Sequence, residues 1–110
     1  MNSEKEDREN VVIIDVTEVK NSAQLHLLLK KHLGFPDFYG MNWDAFWDVI
    51  TGLVEMPHKL ILVGWEYVEQ CIPQDAAIMT ELLQQLNVKH PTWGCDVEYG
   101  SFIKEDLGND

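Results

Sequence analysis

Residues 39–52 read YGMNWDAFWDVITG, the stretch with the strongest local signals in the chain. Asn42 can accept a hydrogen bond from the first free N–H groups of a helix, which makes it a predicted N-cap. Gly52 can supply the left-handed residue that commonly ends a helix. The stretch is therefore predicted to form a helix from about Asn42 to Thr51.

This helix has two chemically different sides. Phe46, Val49 and Ile50 recur at helical spacing and predict the side that packs against a core. Asp44 and Asp48 lie four residues apart and share the other side, where two like charges repel by a few tenths of a kcal/mol. The positive end of the helix dipole offsets this repulsion for Asp44, whereas Asp48 lies about a turn too deep.

Two tryptophans, Trp43 and Trp47, flank the acidic pair. Large aromatic side chains beside unpaired carboxylates favour a surface that binds a basic partner. A solvated acidic face, with the tryptophans half buried in the core, fits the same spacing equally well. The local pattern alone leaves both interpretations open.

The rest of the chain alternates apolar strand patterns with amphipathic helix patterns. The continuous run at 11–16 predicts a strand buried on both faces, and therefore the central strand of a sheet. Alternating strands and helices predict an α/β fold: a small three-stranded parallel sheet of order 2-1-3, packed with about four helices. The other predicted elements are a helix from about Asn21 to Gly34, a strand over 59–63, a short helix over 65–71, a helix over 75–89 whose buried face includes Ile78, Met79, Leu82, Leu83 and Leu86, and a half-exposed edge strand over 95–102.

Domain boundaries follow from the charged ends. Residues 1–10 predict a disordered charged tail, 11–103 a single domain, and 104–110 a flexible acidic tail. The N-terminus lacks the pattern of a secretory signal, so we expect a cytoplasmic protein. Cys71 and Cys95 are expected to be reduced there.

The charge balance restricts the class of partner. Asp and Glu total 19 against 8 Lys and Arg, for a net charge of −11. Such a field repels nucleic acid and anionic membranes and favours basic proteins. High solubility alone is the simpler explanation of the same charge.

Signatures of catalysis are lacking in the sequence. No phosphate-binding glycine loop, zinc-protease motif or nucleophile elbow occurs. Asp44 and Asp48 could hold a divalent cation with Glu55, but that site would need further oxygen ligands. We therefore expect no enzyme, cofactor or metal site, and keep two alternatives: an acidic adaptor for another basic protein and a metal-dependent hydrolase.

Three segments resemble the barstar family, the intracellular inhibitors of the ribonuclease barnase. They are PDFYG at 36–40, NWDAFWD at 42–48 and TGLVEMP at 51–57, and weaker collinear similarity extends from Val11 over about ninety residues in all. The resemblance implies a barstar-like fold and a role as an immunity protein of a toxin–antitoxin pair. The implied partner is a basic extracellular or toxin ribonuclease, bound one-to-one by a chain that is a monomer when free.

The family's partner surface is this helix and the loop before it, with the aspartate at Asp48 as the dominant contact. Four positions depart from the family pattern, because Gln85, Lys89 and Met41 replace acidic residues and Leu53 replaces an aromatic one. The departures leave two targets open, barnase itself and a related toxin nuclease. Transferred position by position, the partner surface comprises Phe38, Gly40, Asn42, Trp43, Asp44, Ala45, Trp47, Asp48, Thr51, Gly52, Leu53 and Glu55.

Overall fold

Strands and helices alternate along the chain, as the sequence predicts. The computed structural model describes residues 8–101, so the predicted C-terminal tail and residues 1–7 of the predicted N-terminal tail lie outside the described range. The α/β class, with a three-stranded parallel sheet and four helices, is confirmed. The elements are β1 (Val11–Asp15), α1 (Ser22–Leu33), α2 (Trp43–Gly52), β2 (Lys59–Val63), α3 (Trp65–Cys71), α4 (Pro73–Lys89), a 3-10 turn (Pro91–Trp93) and β3 (Asp96–Gly100).

The predicted strand order 2-1-3 is wrong, because the sheet has the order β1-β2-β3. β2 is the central strand and pairs in parallel with both neighbours, with Ile13 opposite Ile61 and Ile61 opposite Glu98. Both β1 and β2 are apolar runs, so hydrophobicity could not decide which of them lies in the middle.

β1 was expected to be buried on both faces, but one of its two faces is exposed. Ile14 is fully buried, whereas Val11 and Ile13 on the opposite face are 47% and 58% exposed. β-branched residues favour extended backbone whether or not they are covered, so a continuous β-branched run does not require burial on both sides. β1 is therefore an edge strand whose inner face alone contributes to the core.

The two residues before β1 extend its pairing to the start of β2 and to the residue that precedes it. The N–H groups of His58 and Lys59 donate to the carbonyl oxygens of Glu9 and Asn10, at 2.9 and 3.0 Å. Sequence patterns had assigned these two acceptor residues to the charged tail. Their backbone hydrogen bonds fix the chain direction as it enters the sheet.

The start of α2 and the end of α1 follow the capping chemistry that the sequence predicts, whereas the end of α2 does not. The Asn42 side chain accepts from the Ala45 N–H at 2.8 Å, and Gly34 ends α1 with a φ of 71°. Gly52, predicted to be a left-handed terminator, is instead the last residue of α2. The helix closes because the N–H groups of the next two residues both donate to the Val49 carbonyl at 3.0 Å.

α4 buries a narrower face than the sequence predicts. Met79, Leu83 and Leu86 are almost fully buried, and Leu82 is partly buried. Ile78 is 42% exposed, so its predicted burial is wrong. An amphipathic helix with a wide apolar arc cannot bury the margins of that arc against one neighbouring surface. Among residues 8–101, no helix has the length and apolarity needed to cross a membrane.

The two cysteines differ in their surroundings. Cys71 is exposed and Cys95 is buried, and neither takes part in a disulfide within the described chain. Burial raises the pKa of the Cys95 thiol to about 11. Because thiolates rather than thiols are the reactive species, Cys95 is a poor nucleophile at neutral pH.

A buried histidine joins α1 to the loop that precedes α2. His26 is 1% exposed, its Nδ1 pairs with the Tyr39 hydroxyl, and its ring centroid lies 4.2 Å from that of Trp43. Within the described chain, its Nε2 has no hydrogen-bond partner. Burial lowers the pKa of His26, and the Asp75 carboxylate opposes this shift only in part.

This lowered pKa predicts that the fold loses stability as the pH falls. The unfolded chain binds a proton on His26 at a higher pH than the folded chain does, so stability is complete above the ordinary histidine pKa of about 6.5 and declines below it. The urea concentration at the unfolding midpoint should therefore be lower at about pH 5.5 than at about pH 7.5. A His26→Gln variant should show a flatter pH profile, and an identical slope in both proteins would contradict this assignment.

Candidate functional site

The acidic side of α2 faces solvent. Asp44 and Asp48 are both exposed, and neither carboxylate makes a hydrogen bond or ion pair with any residue in the range 8–101. The helix instead holds its opposite side in the core through Phe46, Val49 and Ile50, each at most 2% exposed. Two unpaired like charges are thus held on a backbone that the core fixes in place.

A groove between α2 and α4 contains both carboxylates. Its volume is about 530 Å³. The α2 wall carries the acids and two aromatic rings, while the α4 wall is apolar at one end and carries an amide and an ammonium group at the other. The groove is lined by Trp43, Asp44, Trp47, Asp48, Ile78, Leu82, Gln85 and Lys89.

Trp43 fastens α2 to the two neighbouring helices. Its indole Nε1–H donates to Asp75 Oδ1 on α4 at 2.7 Å, and the Ser22 hydroxyl at the start of α1 donates to the same oxygen at 3.1 Å. The ring also packs edge-on against Phe46, with centroids 5.1 Å apart. Trp43 is therefore largely a structural residue that also lines the groove.

The loop before α2 is anchored by buried aromatic rings and leaves one aromatic ring exposed. Phe35 and Tyr39 are buried with ring centroids 4.8 Å apart, whereas Phe38 between them is 75% exposed. A Cβ added to Gly40 would lie 3.3 Å from the Ala45 Cβ, so glycine allows the loop to approach the first turn of α2 closely. The left-handed residue of the turn is Met41, with a φ of 60°.

Polar hydrogen bonds at the start of α2 complete this turn. The Asn42 Nδ2 donates to the Gly40 carbonyl at 3.2 Å while its Oδ1 caps the helix. This use of both polar atoms makes Asn42 a positioning residue. Ala45 likewise meets the loop rather than the groove.

The remaining predicted residues line a second cavity at the far end of α2, with a volume of about 630 Å³. Thr51, Gly52, Leu53 and Glu55 contribute to one side of it. The Thr51 hydroxyl donates to the Trp47 carbonyl at 2.6 Å, so its hydrogen bond is made within the helix. The opposite side comes from the N-terminal segment and from the turn before β3.

The structure thus divides the twelve predicted residues among three places. Two tryptophans and the two aspartates line the groove, and four residues line the second cavity. The loop exposes Phe38, which lies near the positioning residues Gly40, Asn42 and Ala45. Sequence reasoning missed Asp75, Arg8 and Trp93, and it assigned Ile78 to the buried face of α4 whereas Ile78 lines the groove. No periodic signal marks a residue whose role depends on contact with a distant segment.

The metal-hydrolase alternative needs Asp44, Asp48 and Glu55 at one place. Glu55 lines a different cavity from the two aspartates. Within residues 8–101, no group of three or more His, Cys, Asp or Glu side chains is arranged to hold a metal ion.

Comparison with known proteins identifies the family of the chain. The family model described as "Barstar (barnase inhibitor)" matches residues 9–96, which include the whole of α2 and the loop before it. A protein of Bacillus subtilis (strain 168), named "Putative ribonuclease inhibitor YrdF", is 39% identical over 74 residues, covering 67% of this chain and 81% of that protein. The chain therefore belongs to the barstar family.

Proposed function

We propose that this protein inhibits a basic ribonuclease by inserting the acidic side of α2, with the Phe38 loop, into the nuclease active site. The single observation that supports this most is that Asp44 and Asp48, which make no ion pair within residues 8–101, are held exposed on a fixed, groove-forming helix. Membership in a family described as barnase inhibitors supports the same class of partner.

Charge mimicry is the mechanism. A ribonuclease active site holds RNA phosphates with cationic side chains, and a carboxylate accepts the same charge-assisted hydrogen bonds. Asp48 lies in the middle of α2 and is exposed, so it can enter such a site as the central anion. Asp44 lies in the first turn and would pair at the edge of the interface.

Apolar contacts would surround this charged centre. Trp47 lines the groove beside Asp48, and Phe38 projects 75% exposed from the preceding loop. Aromatic side chains beside a desolvated charge pair are typical of binding hot spots, because they exclude water and bury area at little entropic cost. The overall charge of −11 would steer a basic nuclease toward this side of the molecule.

The α4 wall indicates which nucleases fit. Gln85 and Lys89 line the groove opposite the two aspartates. A cation at Lys89 disfavours a partner that presents another cation at that point. The target is thus a basic ribonuclease whose surface near the edge of its active site is neutral or acidic opposite Lys89. Inhibition of this kind fits an immunity protein that protects the cell making or meeting the toxin.

Titration into ribonucleases tests the proposal. Adding the protein to barnase and to a panel of other small basic microbial ribonucleases should abolish RNA cleavage by at least one, with an end point at one molecule per nuclease. Full activity of every nuclease in excess protein would contradict the proposal. Binding without loss of cleavage would indicate an adaptor, and RNA cleavage by the pure chain would indicate an enzyme.

Asp48→Ala should damage binding far more than folding. In the complex it leaves buried cations unpaired, which costs about 2–5 kcal/mol or more, a magnitude drawn in part from the barnase–barstar complex itself. In the free protein it removes a like-charge contact and introduces a better helix former, so stability should hold or rise by a few tenths of a kcal/mol. The measurements are the Kd for the inhibited nuclease and the urea midpoint.

Asp44→Ala is the matched control, because it removes the same charge one turn away at the rim of the groove. It should weaken binding less than Asp48→Ala does. An Asp48→Ala protein that binds within about threefold of wild type, a difference of well under 1.4 kcal/mol, would refute the central role of this carboxylate.

Salt should slow association more than it speeds dissociation. Exposed charges are screened over about 10 Å at 0.1 M salt, so long-range steering by the net charge weakens before close contacts do. Stopped-flow rates at about 0.05 M and about 0.5 M salt should show a several-fold fall in the association rate. An unchanged rate would mean that the acidic composition contributes only solubility.

A further inference from the structure

The cavity at the far end of α2 is built by Arg8. Its guanidinium donates to the carbonyl oxygens of Met56 at 2.8 Å and Pro57 at 3.2 Å, and to those of Gly94 at 2.7 Å and Thr92 at 3.4 Å. One side chain thus ties the connector between α2 and β2 to the turn that precedes β3. We name the space between these two segments the Trp93 cleft, after the indole that lines it.

A row of aromatic rings joins this cleft to the acidic groove. Trp47 lines the groove, and its ring centroid lies 6.5 Å from that of His90. His90 in turn stacks on Trp93, with centroids 4.6 Å apart and ring planes at 13°. One face of the Trp93 indole is therefore covered, yet the side chain remains 49% exposed. Three aromatic rings therefore lead from the groove that carries Asp48 to the cleft.

Of the exposed residues that line the cleft, which also include His58 and Thr92, three have the chemistry to contact a partner side chain. Leu53 is 55% exposed and offers apolar area, the Trp93 indole offers an aromatic surface, and the Glu55 carboxylate offers a negative charge. Arg8 is the opposing charge in the same cleft, but its guanidinium already donates to four carbonyl oxygens.

We propose that the Trp93 cleft binds an arginine side chain of the basic partner, as a second subsite beside the Asp48 groove. That the partner is a ribonuclease rests on the function proposed above; the cleft itself needs only a basic protein. An arginine matches all three groups at once: its stem packs on Leu53, its planar guanidinium stacks on Trp93, and its charge pairs with Glu55. The compact, strongly hydrated ammonium of lysine stacks less well.

A small probe tests the cleft without any nuclease. N-acetyl-arginine amide is titrated into the ¹⁵N-labelled protein while the indole N–H signals of its four tryptophans are followed. The Trp93 signal should shift saturably, and more than with N-acetyl-lysine amide. Equal shifts with both probes, no shift, or a larger shift with N-acetyl-phenylalanine amide would overturn the assignment.

Two variants localise the effect. Glu55→Gln removes the exposed carboxylate and should reduce the arginine shift, whereas Glu69→Gln removes an equal charge from α3, outside the cleft, and should not. Equal effects of the two would mean that net charge alone attracts the probe. The indole N–H signals of the other three tryptophans should keep their positions in both variants, which checks that the variants remain folded.

The complex provides the second readout. For the nuclease inhibited in the titration, Trp93→Ala should weaken binding by about 3- to 30-fold, the range of a partly desolvated cation–π contact. Trp93→Phe should recover most of that loss. No loss in the Ala variant would overturn the cleft as a contact. If no nuclease is inhibited, the proposed function fails while the arginine titration still decides the cleft.

Discussion

The hydrogen bond from the Trp43 indole to Asp75 is the interaction on which the functional surface depends. It connects the first turn of α2 to α4, and the Ser22 hydroxyl adds the start of α1 to the same carboxylate oxygen. His26 supports the indole from one side with a ring contact of 4.2 Å and binds the loop through Tyr39. Three helices and one loop thus meet around a single tryptophan, and the acidic side of α2 takes its direction from them.

This arrangement explains how an unfavourable surface is tolerated. Asp44 and Asp48 repel each other by a few tenths of a kcal/mol, whereas the Asn42 cap alone contributes about 1 kcal/mol and the buried stripe of α2 contributes more. The helix therefore forms despite its charges. The proposed binding role fits this cost, because residues that are selected for a complex commonly reduce the stability of the free protein. A preformed surface also avoids the entropic cost of ordering side chains on association.

Local chemistry made part of the molecule predictable from sequence. The Asn42 cap, the Phe46 stripe and the Gly34 terminus depend on residues within one or two turns, and all three are confirmed. The strand order was wrong because β1 and β2 are equally apolar, and Gly52 was misassigned because the Val49 carbonyl accepts two N–H groups instead. The strand order depends on tertiary packing, which local patterns do not encode, whereas the end of α2 is a choice between two local hydrogen-bond patterns that the sequence does not distinguish.

The site shows the same division. Residues on α2 and its loop could be identified because they are contiguous in the chain, and their assignment to a partner surface stays a prediction. Asp75 and Arg8 could not be identified, since each acts on segments far away in sequence: Asp75 binds Trp43 and Arg8 binds the carbonyls beside Trp93's turn. A carboxylate at a helix start and an arginine near a terminus are individually ordinary. Only their positions in the folded chain give them these roles.

The role of the hydrogen bond from Trp43 to Asp75 in holding α2 in place is tested by amide hydrogen exchange across α2. The comparison is among wild type, Asp75→Asn and Asp75→Ala. The amide oxygen of Asn can still accept from the Trp43 indole, whereas Ala leaves that N–H without its partner. We expect faster exchange throughout Trp43–Gly52 in the Ala variant, near-native exchange in the Asn variant, and unchanged protection in β2 in both. Unaltered exchange of α2 in Asp75→Ala would show that the acidic surface is held in place without this hydrogen bond.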